Sequence, residues 1–351
     1  MRVLICEDSR SFALGLTHFL EHDGDMRVIG VCATGEQLLD SVARLSPDVV
    51  TMDLELPGLD GVRTTELVMT RNPCPILVIS SHAERGSERA AAALSSGALE
   101  VIPKSEIRLD RVDGATATVL RRRIRRLAGA HIVRRTAERS SADSVAKRTT
   151  AGRVVAAEGR WPAAHRAAAI GIAASTGGPR ALNTVLEGLP TAFPLPVLVV
   201  QHMAPGFIEG LARWLDGLIE IPVGMAEAGQ LAGPGVWFAP DGAHLVVDSQ
   251  LRLSLDSSGA AGPHRPSADA LLLSMAAAFG KGAVAAVLTG MGRDGARGAG
   301  AIVDAGGLVV AEHESTAAVN GMPAAAAAQG AQSVVPIDQV AELLTRLRPI
   351  T

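Results

Sequence analysis

The chain has 351 residues, 48% of them hydrophobic, which is enough for two domains with full cores and excludes a disordered protein. No apolar stretch reaches membrane-spanning length and the N-terminus lacks a signal-peptide pattern, so the sequence reads as cytoplasmic and not inserted in a membrane. The net charge of −3 hides a division: 11 basic against 18 acidic residues over 1–120, 13 against 3 over 121–166, and 9 against 15 over 167–351.

From the N-terminus, five short apolar runs, RVLICE, RVIGVC, VVTMDL, ILVIS and EVIPK, alternate with amphipathic stretches. This pattern predicts a five-stranded, doubly wound parallel sheet whose functional groups gather at the carboxyl ends of its strands. The residues at those ends are polar: Glu7 and Asp8, then Asp53, Ser80 and Lys104. Carboxylates brought together this way need a cation, and a cluster of oxygen donors suits Mg²⁺. Beside such an ion, with a lysine and a hydroxyl at hand, Asp53 is placed to accept a phosphoryl group. The cysteines Cys6, Cys32 and Cys74 fit neither a zinc site nor a disulfide framework and read as buried, reduced core residues.

Residues 1–125 resemble a response-regulator receiver domain. The resemblance implies that Glu7, Asp8, Asp53 and the main-chain carbonyl of Glu55 hold Mg²⁺. It also implies that Asp53 takes phosphate from a cognate histidine kinase and that Ser80 and Lys104 contact the phosphoryl group. Two positions depart from the pattern: Val101 stands where receivers usually carry an aromatic switch residue, and Ser105 where they usually carry proline.

The basic segment beginning RRRIRRLAGAHIVRR reads as a linker over residues 126–166 whose first turns extend a helix. Nucleic acid is not an expected partner, because aromatic stacking residues are absent there until Trp161, both flanking domains are acidic and no helix-turn-helix follows. The linker charge between two acidic domains is instead expected to contribute electrostatically to how they dock, with Arg121, Arg122, Arg123, Arg125 and Arg126 carrying the effect.

Strand–helix alternation resumes in AAAIGIAASTGGPRAL, Ala167 to Leu182. Strands are predicted at Ala168–Ala174, Val197–Gln201 and Ala283–Leu288, and a helix at Ser267–Phe279. VWFAPDGAHLVVDSQLRLSL reads as a small antiparallel insertion with a turn at Asp241-Gly242. Ser175, His202 and Asp294 each follow a buried strand and can meet above one sheet edge, as nucleophile, general base and orienting acid. Singly, each is more often a cap or strand-end residue. Motif logic leaves both readings open, since the chain order is not that of the α/β-hydrolases and Ala173 stands where a GxSxG elbow has glycine. A rival is the dinucleotide fingerprint GxGxxG, matched by Gly290 to Gly295 with Glu312 and Glu314 about twenty residues on.

Residues 167–351 resemble the catalytic domain of the chemotaxis protein-glutamate methylesterases, the CheB family, through AASTGGPRAL, QHMAPGF, HRPSADALL, LTGMGRDGA and VNGMP in that order. The resemblance implies that Ser175 is the nucleophile, His202 the base, Asp294 its partner, and the backbone N–H groups of Thr176 and Met291 the oxyanion hole, with no cofactor for the esterase reaction. It further implies methyl-accepting chemoreceptors as substrates, methanol as product, deamidation of receptor glutamines in some members, and a receiver that blocks the esterase until Asp53 is phosphorylated. The alternative is a phospho-switched receptor-binding module without turnover.

Overall fold

The computed structural model describes residues 1–81, 87–107, 109, 114–130, 161–162, 164–258 and 264–350. Most of the expected linker lies outside the described residues.

The first unit alternates strand and helix: β1 (Arg2–Cys6), α1 (Arg10–Glu21), β2 (Arg27–Cys32), α2 (Gly35–Leu45), β3 (Val49–Asp53), α3 (Gly61–Arg71), β4 (Ile76–Ser80), α4 (Ser87–Ser95), β5 (Glu100–Pro103) and α5 (Ala115–Leu127). The sheet order is β2-β1-β3-β4-β5, all parallel, as the five apolar runs predict. Ser9, Thr34 and Asp60 cap α1, α2 and α3 through their side chains, satisfying amide groups that the helices leave unpaired. The three cysteines are buried and unbridged.

The second unit runs β6 (His165–Ala167), β7 (Ala169–Ala174), α6 (Gly178–Glu187), β8 (Pro196–Gln201), α7 (Ile208–Asp216), β9 (Val223–Met225), β10 (Gly235–Phe238), β11 (His244–Val247), β12 (Leu253–Asp256) and α8 (Ala268–Phe279). It continues through β13 (Ala283–Val287), α9 (Ala296–Asp304), β14 (Leu308–Glu312), α10 (Met322–Ala327), β15 (Ser333–Val335), α11 (Ile337–Thr345) and β16 (Leu347–Pro349). Seven parallel strands in the order β15-β14-β13-β7-β8-β10-β9 form the main sheet, with apolar clusters on both faces. The order reverses beside β7, whose neighbours are β8 and β13, and a doubly wound sheet opens its ligand crevice at such a point.

Two sequence expectations need correction. Only β11 and β12 form the antiparallel pair; Gly235–Phe238 instead joins the main sheet, parallel to both β8 and β9. The hairpin therefore turns through Asp248–Leu251, where Leu251 N donates to Asp248 O and Leu251 has φ 62°, and Asp241-Gly242 leads from the sheet to the hairpin. The folded second unit also begins inside the segment assigned to the linker. Trp161 is 8% exposed in its core, with its indole N–H donating to Leu343 O at 3.0 Å, and β6 pairs with β16. Among the described residues, no helix is long and apolar enough to cross a membrane.

Candidate active site

Ser175 follows β7, the central strand, every residue of which is buried. Its N–H donates to Thr289 O at 3.0 Å, and its carbonyl accepts from Gly178 N at 2.8 Å and Gln201 Nε2 at 2.9 Å, so its backbone is held from both neighbouring strands. Gly177 (φ 76°) then caps α6, with Pro179 in the first turn. Gly290, the first glycine of the 290–295 run, is required by close packing: a Cβ there would stand 2.8 Å from Ser175 Cβ and 2.3 Å from Met322 Sδ. The dinucleotide reading loses the first of its two acidic candidates as well. Glu312 is 1% exposed, and its carboxylate accepts the Thr289 N–H at 2.8 Å inside the protein rather than facing a ligand at the rim.

His202 follows β8, and its N–H donates to Ala174 O at 3.0 Å, which sets it beside the serine turn. Its Nε2 lies 2.9 Å from Asp294 Oδ2. Asp294 also accepts from Ser267 Oγ (2.9 Å), Ala268 N (2.8 Å) and Asp269 N (3.0 Å) at the start of α8, whose dipole favours an anion. Burial opposes the charge on Asp294, but His202 and these amide donors hold its carboxyl far below the usual carboxylate range. An acid fixed as the anion on Nε2 leaves Nδ1 of His202 as the nitrogen available to the serine. Ser175 and His202 line one small cavity with Gln201. Among the described residues no hydrogen bond joins Ser175 Oγ to His202, and in resting enzymes such bonds often tighten only with substrate bound. Thr176 shares the serine turn, and Met291 follows the glycine packed on Ser175.

The first unit closes this cavity. Leu99 O accepts the Gly177 N–H at 3.1 Å, and Glu100 Oε1 accepts from Thr176 Oγ1 at 2.6 Å. Glu100 also pairs with Arg123, and Glu88 pairs with Arg213 at 3.2 Å. Phe207 and Ala204 of the second unit sit in one buried cluster with Leu94 and Val101 of the first, so an aromatic ring from the partner domain packs with the cluster that holds the small switch-position residue. The arginine run behaves differently from expectation: Arg121 and Arg125 pair within the first unit, with Asp23 (2.8 and 2.7 Å), and Arg125 also with Asp25. Of the five arginines expected to act between domains, Arg123 is the one placed in the cavity between them, on Glu100.

At the carboxyl ends of β1 and β3, Glu7, Asp8 and Asp53 each offer an oxygen within 4.8 Å of the others. Lys104 Nζ stands 2.8 Å from Glu7 and 2.7 Å from Asp53, over the Phe12 ring at 4.6 Å. Burial pushes the Glu7 carboxyl up, and Lys104 pulls it back. Glu55 N–H donates to Asp53 Oδ1 at 3.2 Å, bringing that stretch of main chain to the cluster, and Ser80 ends the adjacent strand. An all-oxygen donor set with one close ammonium fits Mg²⁺.

The CheB methylesterase family model matches residues 170–344 and the response regulator receiver domain model residues 3–117. Over 347 residues, 98% of this chain, the sequence is 39% identical to protein-glutamate methylesterase/protein-glutamine glutaminase 3 of Myxococcus xanthus, 93% of which is covered. The chain belongs to the CheB methylesterase family. It is also 37% identical over 348 residues to protein-glutamate methylesterase/protein-glutamine glutaminase 3 of Anaeromyxobacter dehalogenans, with 98% of each chain covered. The crystal structure of the Thermotoga maritima CheB methylesterase catalytic domain is 39% identical and matches 51% of this chain and 97% of its own, with a TM-score of 0.49.

Several residues of this CheB-family site escaped the sequence reading. His264 stacks on His202, with ring centroids 4.6 Å apart and 14° between planes, and its pKa is lowered by burial and by the neighbouring His202. Ser267, the first residue of the helix expected at Ser267–Phe279, is instead the cap of α8, and could have been found by asking which anion that helix start receives. Asp241, which had no assigned role, accepts the Gly206 N–H at 2.7 Å and ties down the loop after His202.

Proposed function

We propose that this chain hydrolyses γ-methyl glutamate esters on the cytoplasmic domains of methyl-accepting chemoreceptors, releasing methanol, under control of phosphorylation at Asp53 by a cognate histidine kinase. The observation that carries the reading is the His202–Asp294 pair at 2.9 Å beside the Ser175 turn, in a chain of the CheB family. Ser175 Oγ attacks the ester carbonyl while His202 Nδ1 takes its proton; the imidazolium returns it to the departing methoxide, giving methanol and an acyl-serine. A water deprotonated by His202 then adds to the acyl carbon, and collapse frees the glutamate carboxylate and regenerates the serine. The N–H groups of Thr176 and Met291 receive the oxyanion in both steps. The relatives are also named glutaminases, and a glutamine side chain fits the same route with ammonia leaving.

Residues 1–125 act as the receiver and 167–351 as the esterase, with Trp161, His165 and Arg166 folded onto the latter. Glu7, Asp8, Asp53 and the Glu55 carbonyl would hold Mg²⁺, which supplies neutralising charge for a phosphoryl group on Asp53. Ser80 and Lys104 reach that group's oxygens. Leu99 and Glu100 on the serine turn make the docked receiver an obstruction, and phosphorylation favours undocking; a tenfold activation needs about 1.4 kcal/mol of difference between the two states. The binding-module alternative has no observation in its favour.

The test is methanol release from methylated receptor cytoplasmic fragments by the full chain and by Ser175→Ala. Release by the former and none by the latter is expected; equal release by both would remove Ser175 from the mechanism.

A further inference from the structure

Gln201 ends β8 and immediately precedes His202. Its side chain is 2% exposed, and its amide nitrogen donates to two carbonyls, Ser175 O at 2.9 Å and His202 O at 2.8 Å. These belong to the nucleophile and to the base, just past the ends of β7 and β8. One carboxamide NH₂ carries two N–H bonds, so a single planar group spans both carbonyls. The other end of the amide is costly to keep: Oε1 is buried without a hydrogen-bond partner. The seat for it is cut from the backbone, since a Cβ on Gly178 would lie 2.0 Å from Oε1 and 2.8 Å from Cδ. The second glycine of the serine turn is therefore the space in which the amide sits.

Main-chain pairing alone does not do this job. It already joins β7 to β8 through the Ala174–Gln201 register and the His202 N–H on Ala174 O, but it stops one residue short of Ser175. We propose that Gln201 is a positioning residue that fixes the separation of Ser175 from His202 by clamping both carbonyls with one amide. The inference rests on the assignment of those two residues as nucleophile and base. No other side chain of this length serves. Glutamate presents only acceptors to the two carbonyls, methionine matches the length with no N–H, and asparagine draws the same two N–H groups back by one methylene.

The experiment uses the full chain with Gln201→Met, assayed for methanol release from methylated receptor fragments under saturating phosphodonor. Thermal unfolding, phosphate uptake at Asp53 and the fraction of serine labelled by a fluorophosphonate are followed alongside. A misplacement of about 1 Å between reacting groups costs ~10²-fold. The expected result is a ~10²-fold fall in kcat with KM within about threefold of wild type, slower fluorophosphonate labelling, and an unchanged fraction of serine labelled when that reaction is run to completion. A kcat within about threefold of wild type would overturn the proposal, as would a loss matched by an equal loss of labelled or folded protein. Should Gln201→Met not fold, Gln201→Asn keeps both N–H groups but displaces them, and must show the same kcat-specific loss. Failure of both variants to fold assigns Gln201 a structural role and overturns the proposal. Failure of the underlying assignment is separate, since it appears as methanol release by Ser175→Ala while Gln201 is intact.

Discussion

Replacing Glu100 by alanine removes the receiver's carboxylate from Thr176 without touching the phosphorylation site. Thr176 is 3% exposed and the Glu100 side chain 12%, so the 2.6 Å hydrogen bond between them is shielded from water in the docked state. A hydrogen bond to a charged group is worth about 1.5–3 kcal/mol net, and the lower end applies because both partners regain water on undocking. A loss of about 1.5 kcal/mol lowers the docked-to-open ratio ~10-fold. The partner left behind, Arg123, is about a third exposed and can turn to solvent, so it adds little. Methanol release by unphosphorylated Glu100→Ala should therefore rise ~10-fold, while the phosphodonor-saturated rate stays as in wild type, so that the activation ratio narrows. The rise should persist with Asp53→Ala present, because it does not pass through phosphorylation. An unphosphorylated rate within about twofold of wild type, in protein that still takes up phosphate, would refute the argument that this contact holds the domains together.

Asp294→Asn keeps the shape but removes the anion that fixes His202, and kcat should fall ~10⁴-fold with little change in KM, measured by steady-state methanol release. Chelation of divalent cations should abolish stimulation by phosphodonor yet leave the basal rate intact, because the acidic cluster lies in the receiver and not beside Ser175; a parallel loss of basal rate would place a metal in the esterase reaction. Glu312 predicts a pH dependence of stability. Burial pushes its carboxyl from 4.5 up to about 7, so between those values the folded state binds more protons than the unfolded. That stability is fully present below pH 4.5 and is lost as pH rises to about 7. Denaturant midpoints for the esterase transition should fall between pH 5 and 8 in wild type and fall less in Glu312→Gln, and parallel slopes would contradict the assignment.

What could be read in the sequence follows from where burial decides local pattern. Strands covered on both faces are continuous apolar runs, so VVTMD, AIGIAA and PVLVVQ announce themselves, and the polar residue ending each run marks the crevice. Gly235–Phe238 and His244–Val247 are equally short and apolar, and only their tertiary partners decide that one runs parallel in the main sheet and the other turns back in a hairpin. The arginine run looked like one charged surface, but positions 121 and 125 are one helical turn apart and both fall on Asp23. Contacts between domains left no local mark: Glu100 is an ordinary strand residue until Thr176 is placed against it. Gln201 was hidden and Glu312 misdirected for a related reason, because a buried polar side chain is informative only once its partners, here carbonyls and amides of the serine turn's surroundings, are known.

The central claim is that Ser175 chemistry is gated by Asp53, and the most direct measurement is methanol release from methylated receptor fragments with Mg²⁺, with and without a small phosphodonor, for wild type and Asp53→Ala. A rate that rises with phosphodonor in wild type alone is the predicted result. Stimulation that is absent in wild type, or that survives in Asp53→Ala, would contradict the account.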